Sequence, residues 1–178
     1  MPRDLLSTEK IRHVNDHLTP LAVLIVVPGL FVAPLSKLVL IPSAVLITYS
    51  VIFNYLSLYL MKRDITLASG LRVGSNYVVN ICLLWLLYSV WPLVWVLLVL
   101  MSIGVAVYQN RRDSLRTGIA ISILLLAVHW AYGGSTLIDW TNACVKACVI
   151  VLFNLFVNGL LQIASESAKP AAEEAAAG

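Results

Sequence analysis

Five long runs without a charged residue dominate this sequence. A helix that crosses the ~30 Å hydrocarbon core of a bilayer needs about 20 apolar residues. In a chain that is 60% hydrophobic and only 12% charged, such runs cannot all be hidden in the core of so short a soluble protein. The sequence therefore predicts an all-α integral membrane protein whose surroundings are the lipid bilayer. The runs lie at 18–36, 38–61, 73–110, 117–138 and 147–165.

The run 73–110 is too long for one crossing at ~1.5 Å per residue. Trp91-Pro92 lies near its middle. Proline disfavours helix at the preceding residue and fits the first turn of a new helix, so we divide the run there; one irregular span is the alternative. The prediction is six transmembrane helices in three hairpins, at 18–36, 38–61, 75–90, 92–109, 117–134 and 140–164.

The basic residues test this count independently. With six helices, both ends of the chain lie on the same side of the membrane. The connections between the second and third helices and between the fourth and fifth helices lie on that side too. The connections on the other side carry only Lys37. The positive-inside rule then places both termini in the cytoplasm, and we expect a multi-pass protein of a bacterial-type inner (cytoplasmic) membrane. The basic side carries Arg3, Lys10, Arg12, Lys62, Arg63, Arg72, Arg111, Arg112, Arg116 and Lys169.

The chain divides into three parts. Residues 1–17 form a cytoplasmic segment that is either an amphipathic helix on the membrane surface or a solvated arm. A cleaved signal peptide is the alternative interpretation of the start, but 18–36 contains Pro20, Pro28 and Pro34 and lacks a clear cleavage site. Residues 18–165 form the helical bundle. Residues 166–178 are rich in Ala and Glu, lack large apolar side chains and are predicted to be disordered.

Polar residues inside the predicted helices are the candidates for a functional site. Polar side chains are unfavourable in hydrocarbon and tend to face the bundle interior. Their helical spacing gives four stripes, which either hold the bundle together by hydrogen bonds or line a polar pathway. The stripes are Ser43, Ser50, Asn54 and Ser57; Asn76 and Asn80; Ser122, His129 and Thr136; and Asn154 and Asn158. The pathway hypothesis rests on Asn54, Asn80, His129, Lys146 and Asn154.

His129 and Lys146 are the two ionisable residues of that set. An imidazole titrates near neutral pH, so His129 could carry protons, whereas burial would keep it neutral and hydrogen-bonded. Lys146 is the only basic residue within a predicted span. It either snorkels to the outer interface or faces a cavity. Asp139 lies on nearly the same face, ~10 Å away along the axis, which is too far for a ready direct pair.

The sequence contains no motif that names a reaction. It has no nucleotide-binding loop, HExxH, GxSxG or paired intramembrane carboxylates, so we predict neither an enzyme nor a cofactor. The small net charge of +3 does not indicate nucleic-acid binding. Two functions remain open. One is a transporter or channel for a small solute or ion, as a homo-oligomer or with a membrane protein partner. The other is a non-transporting sensor, anchor, accessory or immunity subunit that acts through a partner.

Overall fold

The computed structural model describes the backbone of residues 23–60, 65–106 and 110–177, and side chains within these ranges except 65–69, 105 and 164–177. The predicted N-terminal segment 1–17 lies outside the described residues. No strand occurs in the described part of the chain, so the all-α prediction is confirmed. After a 3₁₀ turn at Val23–Val26, the helices are α1 (Val27–Val32), α2 (Lys37–Leu60), α3 (Ile65–Leu87), α4 (Val96–Ala106), α5 (Arg111–Ala131) and α6 (Leu137–Ala177).

Four of these helices are long and apolar enough to cross a membrane. They are α2, α5, the part of α3 at Gly70–Leu87 and the part of α6 at Leu137–Ile163. The predicted break in the run 73–110 is confirmed, because turns replace helix between Leu87 and Val96. The helix after this break is short: α4 has 11 residues, which rise ~16 Å.

Helix α3 begins ten residues before the predicted start at residue 75, at Ile65. Arg72, which the sequence analysis assigned to a cytoplasmic connection, lies inside this helix and is only 5% exposed. Lys146 is therefore not the only basic residue within a candidate span, and that prediction is wrong. The error arose because each span was ended at the nearest charge, whereas apolar residues on both sides of Arg72 continue the helix.

The backbone of α6 continues as helix to Ala177, through the Ala/Glu-rich tail for which disorder was predicted. Alanine and glutamate are strong helix formers, so this backbone can be helical although it has no large apolar side chains to bury. That the tail is mobile in solution stays a prediction.

Helix α4 lies at the centre of the bundle. It packs against α3, α5 and α6, and none of its described side chains is exposed. Leu97 and Leu98 of α4, Leu125 of α5 and Ile150 of α6 are almost fully buried. By contrast, large apolar side chains on the outside are strongly exposed, including Phe31 at 85%. Apolar exposure on this scale is the surface that lipid covers.

Candidate functional site

The turn between α5 and α6 positions the two ionisable candidates. Helix α5 ends at Ala131, two residues after His129, and Gly133 takes a left-handed conformation (φ 75°) that reverses the chain. Helix α6 then starts with a reciprocal cap. The Asp139 backbone N–H donates to Thr136 Oγ1 (3.1 Å), and Thr136 donates from its hydroxyl (2.7 Å) and backbone N–H (3.3 Å) to Asp139 Oδ2. The cap satisfies donors at the helix start and fixes the Asp139 carboxylate.

His129 is enclosed at this end of the bundle, with 8% of its surface exposed. Its Nδ1 atom is hydrogen-bonded to the Tyr88 hydroxyl at 2.8 Å, and its ring meets the Trp140 ring edge-on, with centroids 4.9 Å apart. Its Nε2 atom has no hydrogen-bond partner among the described residues. A Cβ at Gly134 would lie 2.2 Å from Nε2, so the imidazole occupies this position only because residue 134 lacks a side chain.

Aromatic side chains around His129 join three helices. The Tyr88 ring packs against the Tyr132 ring at 5.4 Å between centroids, and the Tyr132 hydroxyl donates to the Trp85 carbonyl oxygen. Trp140 Nε1 donates to the Gly134 carbonyl oxygen at 2.9 Å. The end of α3 is thereby attached to α5 and to the start of α6.

His129 and Lys146 line one cavity of about 200 Å³. Lys146 is half-buried. Among the described residues the one ion pair joins Arg116 to Asp113, so Lys146 is not paired with a described carboxylate. A cavity of this size holds several waters or one small solute. Its lining is Tyr88, Pro92, Val94, Trp95, His129, Asp139, Asn142, Ala143 and Lys146.

Asn54 belongs to a different cluster, between α2 and α3. Asn54 and Asn76 exchange two amide hydrogen bonds, at 2.7 and 3.0 Å, and Arg72 Nε donates to Asn54 Oδ1 at 3.1 Å. Asn54 is 1% exposed. Asn80 lies one turn beyond Asn76, is half-buried and is not part of these bonds.

Asn154 lies in a third place, between α5 and α6. Its Oδ1 accepts a hydrogen bond from the Ser114 hydroxyl, and it packs against Gly118, where a Cβ would lie 3.1 Å from Nδ2. Ser114 and His129 are fifteen residues apart on α5, which is ~22 Å along the axis. The interval contains one buried hydroxyl, that of Ser122, which donates to the Ala147 carbonyl oxygen. The large buried side chains there are apolar: Ile121, Leu125, Val128 and Ile150.

The structure therefore brings together only two of the five pathway residues, His129 and Lys146. The predicted stripes do face inward, as the burial of Ser50, Asn54, Ser122 and Asn158 shows. Thr136, however, caps α6 and is not part of α5. The five pathway residues therefore lie at separate places: Asn54 bonds to Asn76 between α2 and α3, Asn154 bonds to Ser114 between α5 and α6, and His129 bonds to Tyr88 at the other end of α5.

Sequence reasoning missed Tyr88 and Arg72. For Arg72 a signal existed, because Arg72, Asn76 and Asn80 recur every four residues and so share a helix face. For Tyr88 the sequence offers no comparable signal, since its partner His129 is 41 residues away.

Among the described residues, no three His, Cys, Asp or Glu side chains come together as metal ligands. No protein family model matches this chain, and no curated protein or solved structure matches it.

Proposed function

We propose that this protein is a multi-pass inner-membrane protein that binds a small solute or ion in the cavity beside His129 and Lys146 and transports it. The observation that carries the proposal is the convergence of His129, Lys146 and Asp139 on one cavity of about 200 Å³. Ionisable side chains within membrane spans are unfavourable unless they face a water-filled cavity or a partner, and they commonly mark solute or proton pathways.

A second candidate function is a non-transporting sensor or accessory subunit, which binds a solute or a protein partner without moving a solute across the membrane. The layer formed by Ile121, Leu125 and Ile150, each at most 3% exposed, favours this alternative. It separates the cavity from Asn154. A transporter has to open this layer during its cycle, whereas in a sensor the layer stays closed.

Osmotic swelling of proteoliposomes separates the two. Purified protein is reconstituted and challenged with potassium chloride, sodium acetate, methylammonium chloride and glycine. For a transporter we expect swelling with at least one solute, reduced about tenfold, or ~1.4 kcal/mol, by Lys146→Met. Lys37→Met is the matched control, because Lys37 is exposed at the start of α2.

Two results would count against this assignment. Uptake that is unchanged in both His129→Ala and Lys146→Met would show that the site is wrong. If a solute binds but none of the four solutes is taken up, the sensor is favoured. The next measurement is then crosslinking, followed by identification of a stoichiometric partner.

We also propose six membrane-spanning segments with both termini in the cytoplasm. The described residues form six α-helices in sequence, and exposed Arg111 and Arg112 begin α5, whereas the turn 132–136 carries no basic residue. Helices α1 and α4 are shorter than the bilayer, so each would cross together with adjoining irregular backbone. Such backbone is tolerated at membrane depth where protein encloses it, and α4 is enclosed.

Labelling by a membrane-impermeant thiol reagent in whole cells tests this topology. Cys82, Cys144 and Cys148 are first replaced by Ala, and a cysteine is then introduced at Arg112 or at Ser135, both exposed. We expect labelling at 135 and protection at 112. The opposite pattern would reverse the orientation. Ser114 is unsuitable for this purpose because its side chain is buried against Asn154.

A further inference from the structure

We infer that the cavity beside His129 and Lys146 selects a short zwitterion, a solute with one ammonium and one carboxylate group. This inference rests on the proposed function and names the chemical class of its ligand. Its basis is that Asp139 and Lys146, which carry opposite charges, line the same cavity. They lie seven residues apart, so they are on nearly the same face of α6.

The spacing of the two charges suits a bridging solute. Seven residues rise ~10 Å along a helix axis. Helical side chains lean toward the N-terminus, so the Lys146 ammonium points back toward Asp139 and shortens the gap. In the described part of the chain the two side chains nevertheless form no ion pair. A solute with two oppositely charged ends can bridge groups that are too far apart to pair directly.

Both charged groups keep hydrogen-bonding capacity for a ligand. The cap bonds from Thr136 all end on Asp139 Oδ2, which leaves Oδ1 outside them. The Lys146 ammonium has three donors. Asn142 lies between the two charges on the cavity wall and offers both a donor and an acceptor.

The same charges disfavour singly charged solutes. An anion that pairs with Lys146 meets the Asp139 carboxylate in the same cavity, and a cation that pairs with Asp139 meets the Lys146 ammonium. A site of this kind discriminates by repulsion as well as attraction. Tyr88 and Trp95 line the same cavity and supply aromatic surface, which suits methylene groups and an ammonium group.

The inference is tested by equilibrium binding to the full-length protein in lipid nanodiscs. The probes are 4-aminobutyrate, butyrate and butylammonium, which share a four-carbon chain and differ in their charged groups. Glycine and 6-aminohexanoate extend the series, so that an unsuitable length is detected. We expect at least one zwitterion to bind about tenfold more tightly than butyrate and butylammonium.

Substitutions place the recognition at the two charges. Lys146→Met should remove the preference over butylammonium, and the near-isosteric Asp139→Asn should remove the preference over butyrate. Lys37→Met is the matched control: it removes an exposed lysine at the start of α2 but leaves both cavity charges, so the preference should persist. Lys146→Gln, checked for helical content by circular dichroism, replaces Lys146→Met if that variant does not fold.

Several results would overturn the inference. The first is that none of the zwitterions binds. The second is that butyrate or butylammonium binds as tightly as any zwitterion. The third is that the preference survives both charge substitutions. If a singly charged solute binds at least as tightly as every zwitterion and this binding depends on Lys146, the zwitterion class is wrong while the proposed function stands. If no probe binds and Lys146→Met changes no uptake, both fall.

Discussion

The pairs α5–α6 and α2–α3 are held together in different ways. Along α5–α6, contacts recur at separate levels: Ser114 bonds to Asn154, Gly118 packs on Asn154, Ser122 donates to the Ala147 carbonyl oxygen at 2.8 Å, and His129 meets Trp140. Between α2 and α3 the buried side-chain hydrogen bonds concentrate on Asn54.

This difference shows two ways to associate helices without a hydrophobic driving force. Small residues and single hydrogen bonds, each contributing about 0.6–2 kcal/mol, can be spread along an interface. Alternatively, one amide can organise a buried guanidinium and a second amide. The first arrangement should be tolerant of single substitutions, and the second should depend strongly on one residue.

The largest effect is expected for Asn54→Leu. The substitution removes the acceptor of the Arg72 Nε bond and both bonds to Asn76, and buried polar groups that lose a partner are destabilising. We expect a decrease of about 2–4 kcal/mol in the free energy of unfolding, measured by denaturation in mixed detergent micelles. Ser57→Ala is the control, since Ser57 donates only to the Asn54 backbone carbonyl. Equal effects of the two would remove the contrast between the helix pairs.

Gly118→Val tests the close approach of α5 to α6. A Cβ at residue 118 would lie 3.1 Å from Asn154 Nδ2 and 3.5 Å from Val151 Cα, so two further methyl groups force the helices apart. We expect a decrease in the free energy of unfolding of about 2 kcal/mol. Gly159→Val on α6 is the matched control, because nothing lies within 4 Å of its added Cβ. Similar losses in both variants would mean that helix propensity, not packing, sets the effect.

Tyr88→Phe tests the link between the two helix pairs. It removes the hydroxyl that bonds to His129 Nδ1, and we expect a decrease in the free energy of unfolding of about 1 kcal/mol. Tyr55→Phe is the comparison, because Tyr55 is 49% exposed on α2. If the two variants are equally stable, α3 is attached to α5 by other contacts.

The smallest effect is expected for Arg116→Ala. The Arg116–Asp113 ion pair has a length of 3.1 Å, but the arginine side chain is 78% exposed. Exposed pairs of this kind contribute about 0.5 kcal/mol or less. A loss above ~1 kcal/mol in the same unfolding assay would show that exposed charge, as well as buried contact, stabilises α5.

The helices were predictable because hydropathy, charge and proline act locally. Charge-free runs located α2, α5 and α6, and Trp91-Pro92 located the break before α4. In the run 18–36, by contrast, the described residues form only the 3₁₀ turn Val23–Val26 and the six-residue helix α1, not the predicted long helix. The start of α3 was misplaced because a single charge was given more weight than the helix around it. A buried arginine is compatible with a membrane span when an amide group accepts its hydrogen bond. That amide belongs to Asn54 on another helix, so the sequence around Arg72 does not reveal it.

The candidate site was predictable only in part. Inward-facing stripes follow from helical spacing, and His129 and Lys146 were identified as polar residues in spans. Which stripes meet depends on how the helices pack, and single-sequence periodicity does not contain that information. Asn54 and Asn154 were therefore grouped with His129 although each contacts a different neighbour.

The burial of α4 has a consequence for hydrophobic mismatch. A helix of ~16 Å would strongly thin a bilayer that touched it. None of the described side chains of α4 is exposed, so neighbouring helices shield most of α4 from lipid. The long outer helices, such as α2 with 24 residues, set the thickness that the surrounding membrane has to match. Changes in lipid chain length should therefore act on α2 and α6 and reach α4 only through the contacts that they share.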